Sequence, residues 1–103
     1  MDDMIWDAAR RWQQFLDDQN GNDPLEIACR IMKINEEAGE VTQAWIGMLG
    51  QNPRKGVTHT KDDVVGELAD VVFTALVAIA SLGADPRQAI QDVVKKANTY
   101  ITP

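Results

Sequence analysis

The sequence predicts an all-α protein: a four-helix-type bundle with two long antiparallel core helices, completed by oligomerisation. Apolar residues recur at spacings of three and four along four segments, which is typical of amphipathic helices. Gly, Asn and Pro separate these segments, as expected at helix ends. No segment shows sustained alternation of apolar and polar residues, so we expect no strand. The length of 103 residues suits one domain, and we expect a single helical domain over residues 1–103.

Caps and breakers predict where each helix begins and ends. Asp23 and Asp85 each precede a proline, a favourable pair for a helix start. Thr60 and Asp63 resemble a capping box with Asp in place of Glu. These signals predict helices over about residues 3–18, 24–49, 61–82 and 86–100.

Composition excludes several functional classes. The net charge of −6 disfavours a nucleic-acid polymer or an anionic membrane as a partner, because both require a basic face. The longest apolar run, residues 71–80, is shorter than the roughly 20 residues of a membrane span. Cys29 is the only cysteine, so a disulfide within the chain is excluded, and we expect a small buried side chain here. We expect a cytoplasmic protein.

Both long helices carry an apolar stripe. We expect these stripes to pack against each other in an antiparallel pair, with Trp45 in the core and Trp12 on the core face of the first helix. The stripes comprise Ile27, Ile31, Ile34, Ala38, Val41, Trp45 and Met48 in the second helix, and Val64, Leu68, Val71, Val72, Ala75, Ile79 and Leu82 in the third.

Acidic residues lie on one flank of each stripe. Glu37 and Glu40 lie about 80° and 140° from the first stripe, counting about 100° per residue. Glu67 and Asp70 lie about 100° and 160° from the second stripe by the same count, and Glu36 lies beside Glu40. Packing would bring these carboxylates together, where they repel one another unless a cation lies between them. Their oxygens suit Mg²⁺, with Mn²⁺ as a possible substitute.

The alternative is a solvated helix face, the usual explanation for a single pair of glutamates. Two observations favour a metal site. The positions four residues after Glu36, Glu37 and Glu40 carry no cation to pair with them. Asp70 adjoins the apolar residues 71–73, where an unpartnered carboxylate is costly.

The acidic pattern also resembles a known family. Glu36-Glu37-Ala38-Gly39-Glu40, followed after 26 residues by Glu67-Leu68-Ala69-Asp70, resembles the E-E-x-x-E…E-x-x-D signature of MazG-like all-α nucleotide pyrophosphohydrolases. The resemblance covers about residues 25–100. It implies Mg²⁺-dependent cleavage of a nucleoside triphosphate between its α and β phosphates, giving the monophosphate and pyrophosphate, for housecleaning of the nucleotide pool. It also implies a homo-oligomer, either a dimer or a tetramer.

The resemblance implies roles for individual residues. Glu37, Glu40, Glu67 and Asp70 would be metal ligands. Glu36, Glu37 and Glu40 would be the catalytic group, with Glu36 as an outer ligand or as the base that orients the attacking water.

Basic and polar residues elsewhere are candidate substrate contacts. Lys95, Lys96 and Asn98 lie late in the last helix, and Arg54 and Lys55 lie in the central loop. Lysines near a helix C-terminus also suit the helix dipole, and the loop residues could simply be solvated. For His59, the only histidine, we expect a hydrogen-bonding role in this loop.

Two other functions remain possible at this stage. One is a phosphoribosyl-ATP pyrophosphatase-like enzyme that uses the same carboxylates and metal. The other is a non-catalytic helical module for oligomerisation or metal binding. Nucleotide turnover would separate the module from both enzymes.

Overall fold

A computed structural model describes residues 2–102, without the side chain of Asp2. Four helices form: α1 (Asp2–Asn20), α2 (Pro24–Leu49), α3 (Lys61–Ser81) and α4 (Pro86–Asn98). Across residues 2–102 there is no strand, so the all-α prediction is confirmed. Each helix begins and ends within two residues of the predicted positions.

Aspartate caps begin α2 and α4 as predicted. The backbone N–H of Glu26 donates to Asp23 Oδ1 at 2.9 Å, and that of Arg87 donates to Asp85 Oδ1 at 3.0 Å. Each cap satisfies a backbone donor that lacks a partner inside its helix. The proline that follows each aspartate needs no such partner.

The predicted capping box begins α3. The backbone N–H of Thr60 donates to Asp63 Oδ2 at 2.9 Å, and that of Asp63 donates to Thr60 Oγ1 at 3.1 Å. Because the Thr60 backbone hydrogen bond stabilises the charged carboxylate, it lowers the pKa of Asp63. The start of α3 is therefore held by reciprocal hydrogen bonds.

The chain forms two compact units. The first comprises Met1–Ile27 and Leu76–Pro103. In it, ion pairs join α1 to the start of α4, from Arg10 to Asp85 at 3.4 Å and from Arg87 to Asp3 at 3.0 Å. All four side chains are largely exposed, so these pairs contribute little stability. Its described buried residues are Ala9, Leu76, Val77, Ala78, Ala80 and Pro86.

The second unit, Ala28–Ala75, holds most of α2 and α3. Near the connecting loop, Gly47 of α2 accepts a hydrogen bond from the backbone N–H of Thr58 at 3.0 Å. Further from the loop, Glu37 of α2 lies close to Glu67 and Asp70 of α3. Residues later in the chain after the loop thus contact residues earlier in α2, so the two helices run antiparallel in this unit.

The predicted burial of the apolar stripes is only partial within the single chain. Trp45 of the α2 stripe is 51% exposed, and Leu68 and Val72 of the α3 stripe are 50% and 58% exposed. On α2, by contrast, Ala44 is buried and Glu37 is only partly exposed. Stripe positions such as Ile34, Val41 and Val71 are partly buried, so the acidic flanks meet within this unit while the stripes are covered only in part.

Two further burial predictions are wrong. Trp12 is 51% exposed and packs edge-on against Phe15, with ring centroids 5.5 Å apart. Cys29 is exposed as well. Both residues lie on helical surfaces that the single chain does not cover, which local periodicity could not indicate.

Among the described residues, α3 is the one helix long and apolar enough to cross a membrane by length and composition. Its most apolar window has a mean hydropathy of 1.9, and 22% of that window is buried in the chain. The helix is longer than the apolar run over residues 71–80, which Thr74 interrupts, because acidic residues and glycine precede that run. The core helix of a soluble protein passes the same test of length and composition, so this is weak evidence for a membrane protein.

Candidate metal and substrate site

Carboxylates from both long helices converge in the second unit. Glu37 of α2 and Glu67 and Asp70 of α3 each offer one oxygen, and these atoms lie within 4.8 Å of one another. Glu67 and Asp70 share a helix face because they are three residues apart. We call Glu37, Glu67 and Asp70 the acidic cluster.

A second group extends the cluster along α2. Oxygens of Glu36, Glu37 and Glu40 also lie within 4.8 Å of one another. Glu37 belongs to both groups, so it joins the residues of α2 to those of α3. The structure therefore brings together Glu37, Glu67 and Asp70 of the predicted ligands, and it places Glu40 beside them through Glu37.

Partial burial of Glu37 and Glu67 makes the acidic cluster unusual for a helix surface, whereas Asp70 is exposed, so the expected cost of placing Asp70 beside the apolar run does not arise. Glu67 Oε2 is buried and has no hydrogen-bond partner among the described residues. The Glu37 side chain is 13% exposed. A buried carboxylate oxygen such as Glu67 Oε2 destabilises the fold unless a hydrogen-bond donor or a cation satisfies it. Hard oxygen donors at this spacing fit Mg²⁺ or Mn²⁺, and a divalent ion would offset the repulsion among the carboxylates.

Lys33 lies beside the cluster, one turn before it on α2. Its Nζ is 3.3 Å from Glu36 Oε1 and 3.5 Å from Glu37 Oε1. The hydrogen bond to Glu36 and the nearby negative charges raise the pKa of Lys33. Glu36 and Glu37 therefore have a cationic neighbour after all, on the preceding turn of α2. The absence of a cation on the following turn did not indicate this, because a helical residue pairs with residues on either adjacent turn. The case for a metal site now depends on the cluster and on Glu67.

A polar cleft lies at the C-terminal end of α2. It encloses about 350 Å³ between the last turns of the helix and the loop that follows. We call it the loop cleft, and its lining residues are Gln43, Ile46, Gly47, Asn52, Lys55, Gly56, Thr58 and His59.

The loop cleft includes one predicted substrate contact, Lys55, whereas Arg54 is exposed and is not part of this lining. The predicted hydrogen-bonding role of His59 is confirmed, because its Nδ1 lies 2.8 Å from Thr58 Oγ1. Sequence reasoning did not single out Gln43 or Asn52. The available signal was the polar loop with two glycines that follows α2 directly.

The other predicted substrate contacts lie at the end of α4. Lys95, Lys96 and Asn98 are exposed, and the backbone oxygen of Lys96 accepts a 2.7 Å hydrogen bond from Thr99 Oγ1. These residues belong to the first unit, whereas the acidic cluster belongs to the second. Their contact with substrate stays a prediction.

Comparison with known protein families adds an independent observation. Residues 3–98 match the family described as phosphoribosyl-ATP pyrophosphohydrolase. The chain belongs to this phosphoribosyl-ATP pyrophosphohydrolase family. Neither a search of curated proteins nor a search of solved structures found a significant match.

Family membership confirms part of what the acidic motif implied. The phosphoribosyl-ATP pyrophosphohydrolase family lies within the MazG-like all-α superfamily of nucleotide pyrophosphohydrolases, so the resemblance is confirmed at that broader level. Membership of this family supports a hydrolase that cleaves a pyrophosphate linkage in a nucleotide-like substrate. The family that matches is the one named for the alternative substrate, phosphoribosyl-ATP.

Proposed function

We propose that this phosphoribosyl-ATP pyrophosphohydrolase family member is a Mg²⁺-dependent enzyme that cleaves a nucleotide between its α and β phosphates. The products are the monophosphate and pyrophosphate, and Mn²⁺ can replace Mg²⁺. The observation that carries this proposal is the acidic cluster with its unpartnered Glu67 oxygen, found in a chain of a pyrophosphohydrolase family. We expect the enzyme to act in the cytoplasm.

Two substrates are candidates for this reaction. Phosphoribosyl-ATP is favoured by the family match over residues 3–98. A nucleoside triphosphate, cleaved to clean the nucleotide pool, is favoured by the resemblance of the acidic motif to MazG-like enzymes. Both carry a triphosphate, so the acidic cluster would handle the same linkage in either one. The distinction depends on the rest of the molecule, and we place phosphoribosyl-ATP first.

The chemistry assigns a role to each acidic residue. Glu37, Glu40, Glu67 and Asp70 would hold the ion, and the bound ion would supply positive charge to the phosphate oxygens. Glu36 lies beside this group with its side chain 65% exposed, where it can orient a water molecule and accept its proton. The water oxygen forms a bond to the α-phosphorus. The bond from that phosphorus to the bridging oxygen breaks, and pyrophosphate leaves with the electron pair.

Cations from other segments would contribute to substrate binding. Lys55, Arg54, Lys95 and Lys96 can neutralise phosphate charge, and Asn98 can hydrogen-bond to the substrate. These positions come from separate parts of the sequence. We therefore assign them to substrate binding rather than to the chemical step.

The apolar stripes support a homo-oligomer, a dimer or a tetramer. Trp45, Leu68 and Val72 are each at least half exposed and belong to the same compact unit. An apolar surface of this kind is typical of a buried subunit interface. A second copy of the chain, with the same stripes, would cover it.

Removal of single carboxylates tests the site. We expect Glu40→Gln and Asp70→Asn each to abolish pyrophosphate release, while circular dichroism shows intact helices. The assay uses phosphoribosyl-ATP and a panel of nucleoside triphosphates, each with Mg²⁺ or Mn²⁺. Asp7→Asn removes an exposed acid of α1 outside the cluster and serves as the matched control. Full activity in both Glu40→Gln and Asp70→Asn would reject the site, and an inactive unaltered protein would reject the function.

A further inference from the structure

We propose that the loop cleft binds the second phosphoribosyl group of the substrate, the group that distinguishes phosphoribosyl-ATP from ATP. Lys55 would contact its phosphate, and the amide and hydroxyl side chains of the cleft would contact its sugar. This inference rests on the proposed function and adds a specificity site to it.

The lining of the cleft suits a phosphorylated sugar better than a nucleobase. Lys55 brings a positive charge, and Gln43, Asn52 and Thr58 bring hydrogen-bonding groups. Ile46 is the one large apolar side chain in this lining. Nucleobases are usually held between aromatic or apolar faces, and apart from the His59 ring this lining offers no aromatic face. Hydroxyl groups and a phosphate match the donors that are present.

The cleft lies in line with Glu40, the last carboxylate of the group on α2 that includes Glu37. Gln43 follows Glu40 by three residues, and Gly47 follows it by seven. Seven residues advance about 10 Å along a helix and return to within about 20° of the same face. A triphosphate at the carboxylates therefore leaves the rest of its nucleotide room to extend along α2 toward the cleft. A nucleotide with a phosphoribosyl group on its base has a second phosphate at that far end, whereas ATP has none.

Hydrogen bonds hold the loop against the helix. The carbonyl oxygen of Gly47 accepts from the backbone N–H of Thr58 at 3.0 Å, and that of Asn52 accepts from Lys55 and Gly56 at 3.1 and 2.9 Å. At Gly56, φ is +68°, a conformation that glycine adopts without strain. Lys55 is therefore carried on a defined turn next to the cleft, and a site formed in advance loses less entropy when a ligand binds.

Close approach at Gly47 adds to this arrangement. A Cβ atom there would collide with Thr58 Oγ1 and His59 Nδ1. The missing side chain lets these two residues lie directly against α2 and form the wall of the cleft. Gly47 thus allows the loop to lie against the same face of α2 that carries Glu40.

The test compares two substrates in the full-length protein. We expect Lys55→Gln to raise KM for phosphoribosyl-ATP by about ten- to a hundredfold, as for the loss of one charged hydrogen bond. The KM for ATP, which lacks the second phosphoribosyl group, should rise much less, so the ratio of the two KM values is the readout. Lys55→Arg keeps the charge and should retain most of the affinity. Lys61→Gln removes an exposed lysine outside the cleft and is the matched control.

The outcomes separate this inference from the proposed function. If the unaltered protein hydrolyses neither phosphoribosyl-ATP nor any nucleoside triphosphate of the panel, the proposed function fails and this inference fails with it. If it hydrolyses both phosphoribosyl-ATP and ATP, and Lys55→Gln changes the two KM values equally or changes neither, the specificity site is rejected while the proposed function stands. Hydrolysis of ATP without hydrolysis of phosphoribosyl-ATP would also reject the specificity site. Lys55 is exposed, so its replacement should not affect folding, which thermal melting would verify.

Discussion

Replacing Glu67 by glutamine should stabilise the metal-free protein and reduce the stability that the protein gains from divalent ions. The substitution keeps the shape of the side chain and removes one negative charge from the acidic cluster. In the metal-free protein this relieves repulsion with Glu37 and Asp70. In the metal-bound protein it removes a ligand. We therefore expect the variant to be more stable than the unaltered protein in chelator and to gain less from Mg²⁺.

The size of the effect follows from the geometry. The facing oxygens lie within 4.8 Å, where two unit charges repel by about 1 kcal/mol at the dielectric constant of water and about 3.5 kcal/mol at an effective value of 20. Lys33 offsets part of this repulsion at Glu37. We therefore expect a gain of about 1–3 kcal/mol without metal, or at least about 4 °C in Tm for a domain of this size. At a hundredfold excess over its Kd, an ion that binds only the folded state adds about 2.7 kcal/mol.

Thermal melts followed by circular dichroism, in chelator and in excess Mg²⁺, measure both effects. Asp7→Asn controls for the loss of an acid elsewhere and should melt like the unaltered protein under both conditions. Calorimetric titration with Mg²⁺ gives the loss of affinity directly. A Glu67→Gln variant that melts lower in chelator, or that gains as much from Mg²⁺ as the unaltered protein does, would refute the reasoning.

Three further predictions concern the start of α3 and the apolar stripes. Thr60→Ala removes one partner of the capping box and should lower the free energy of unfolding by about 1 kcal/mol, measured by urea denaturation; an unchanged midpoint would contradict it. The pKa of Asp63 is lowered in the folded protein, so its carboxylate should contribute fully to the free energy of unfolding above the ordinary pKa of Asp. This contribution should be lost as the pH falls through the pKa that Asp63 has in the folded protein. Asp63→Asn should therefore weaken the loss of stability with falling pH, measured by thermal melts at a series of pH values. Leu68→Glu places a charge on the exposed stripe and should give a monomer in sedimentation experiments, where the unaltered protein sediments as an oligomer; a monomer in both cases would remove the case for an interface.

The ends of the helices could be predicted from sequence because their causes are local. Asp23 and Asp85 cap the residues that follow them directly, and Thr60 and Asp63 are three residues apart. Each signal acts within one turn, so it operates in the same way whatever the rest of the chain does. The acidic motif was recognisable for a related reason, since its spacing along each helix determines which carboxylates share a face.

The packing of the helices could not be predicted in the same way. Periodicity identifies an apolar stripe but does not say whether that stripe is covered by the same chain or by another. Trp45 and Leu68 lie on stripes that the single chain covers only in part, and Trp12 follows the same pattern on α1. The loop cleft escaped prediction because it depends on how the loop folds back onto Gly47, a contact between residues separated by more than two helical turns.

Lys33 has a consequence for how firmly an ion can be held. Its ammonium group and a divalent cation would compete for the carboxylate of Glu37, so each would weaken the binding of the other to that side chain. The lysine thus keeps the ion-free protein from carrying three uncompensated carboxylates. In the proposed enzyme it would also limit ion affinity, which would suit an ion that exchanges as pyrophosphate departs.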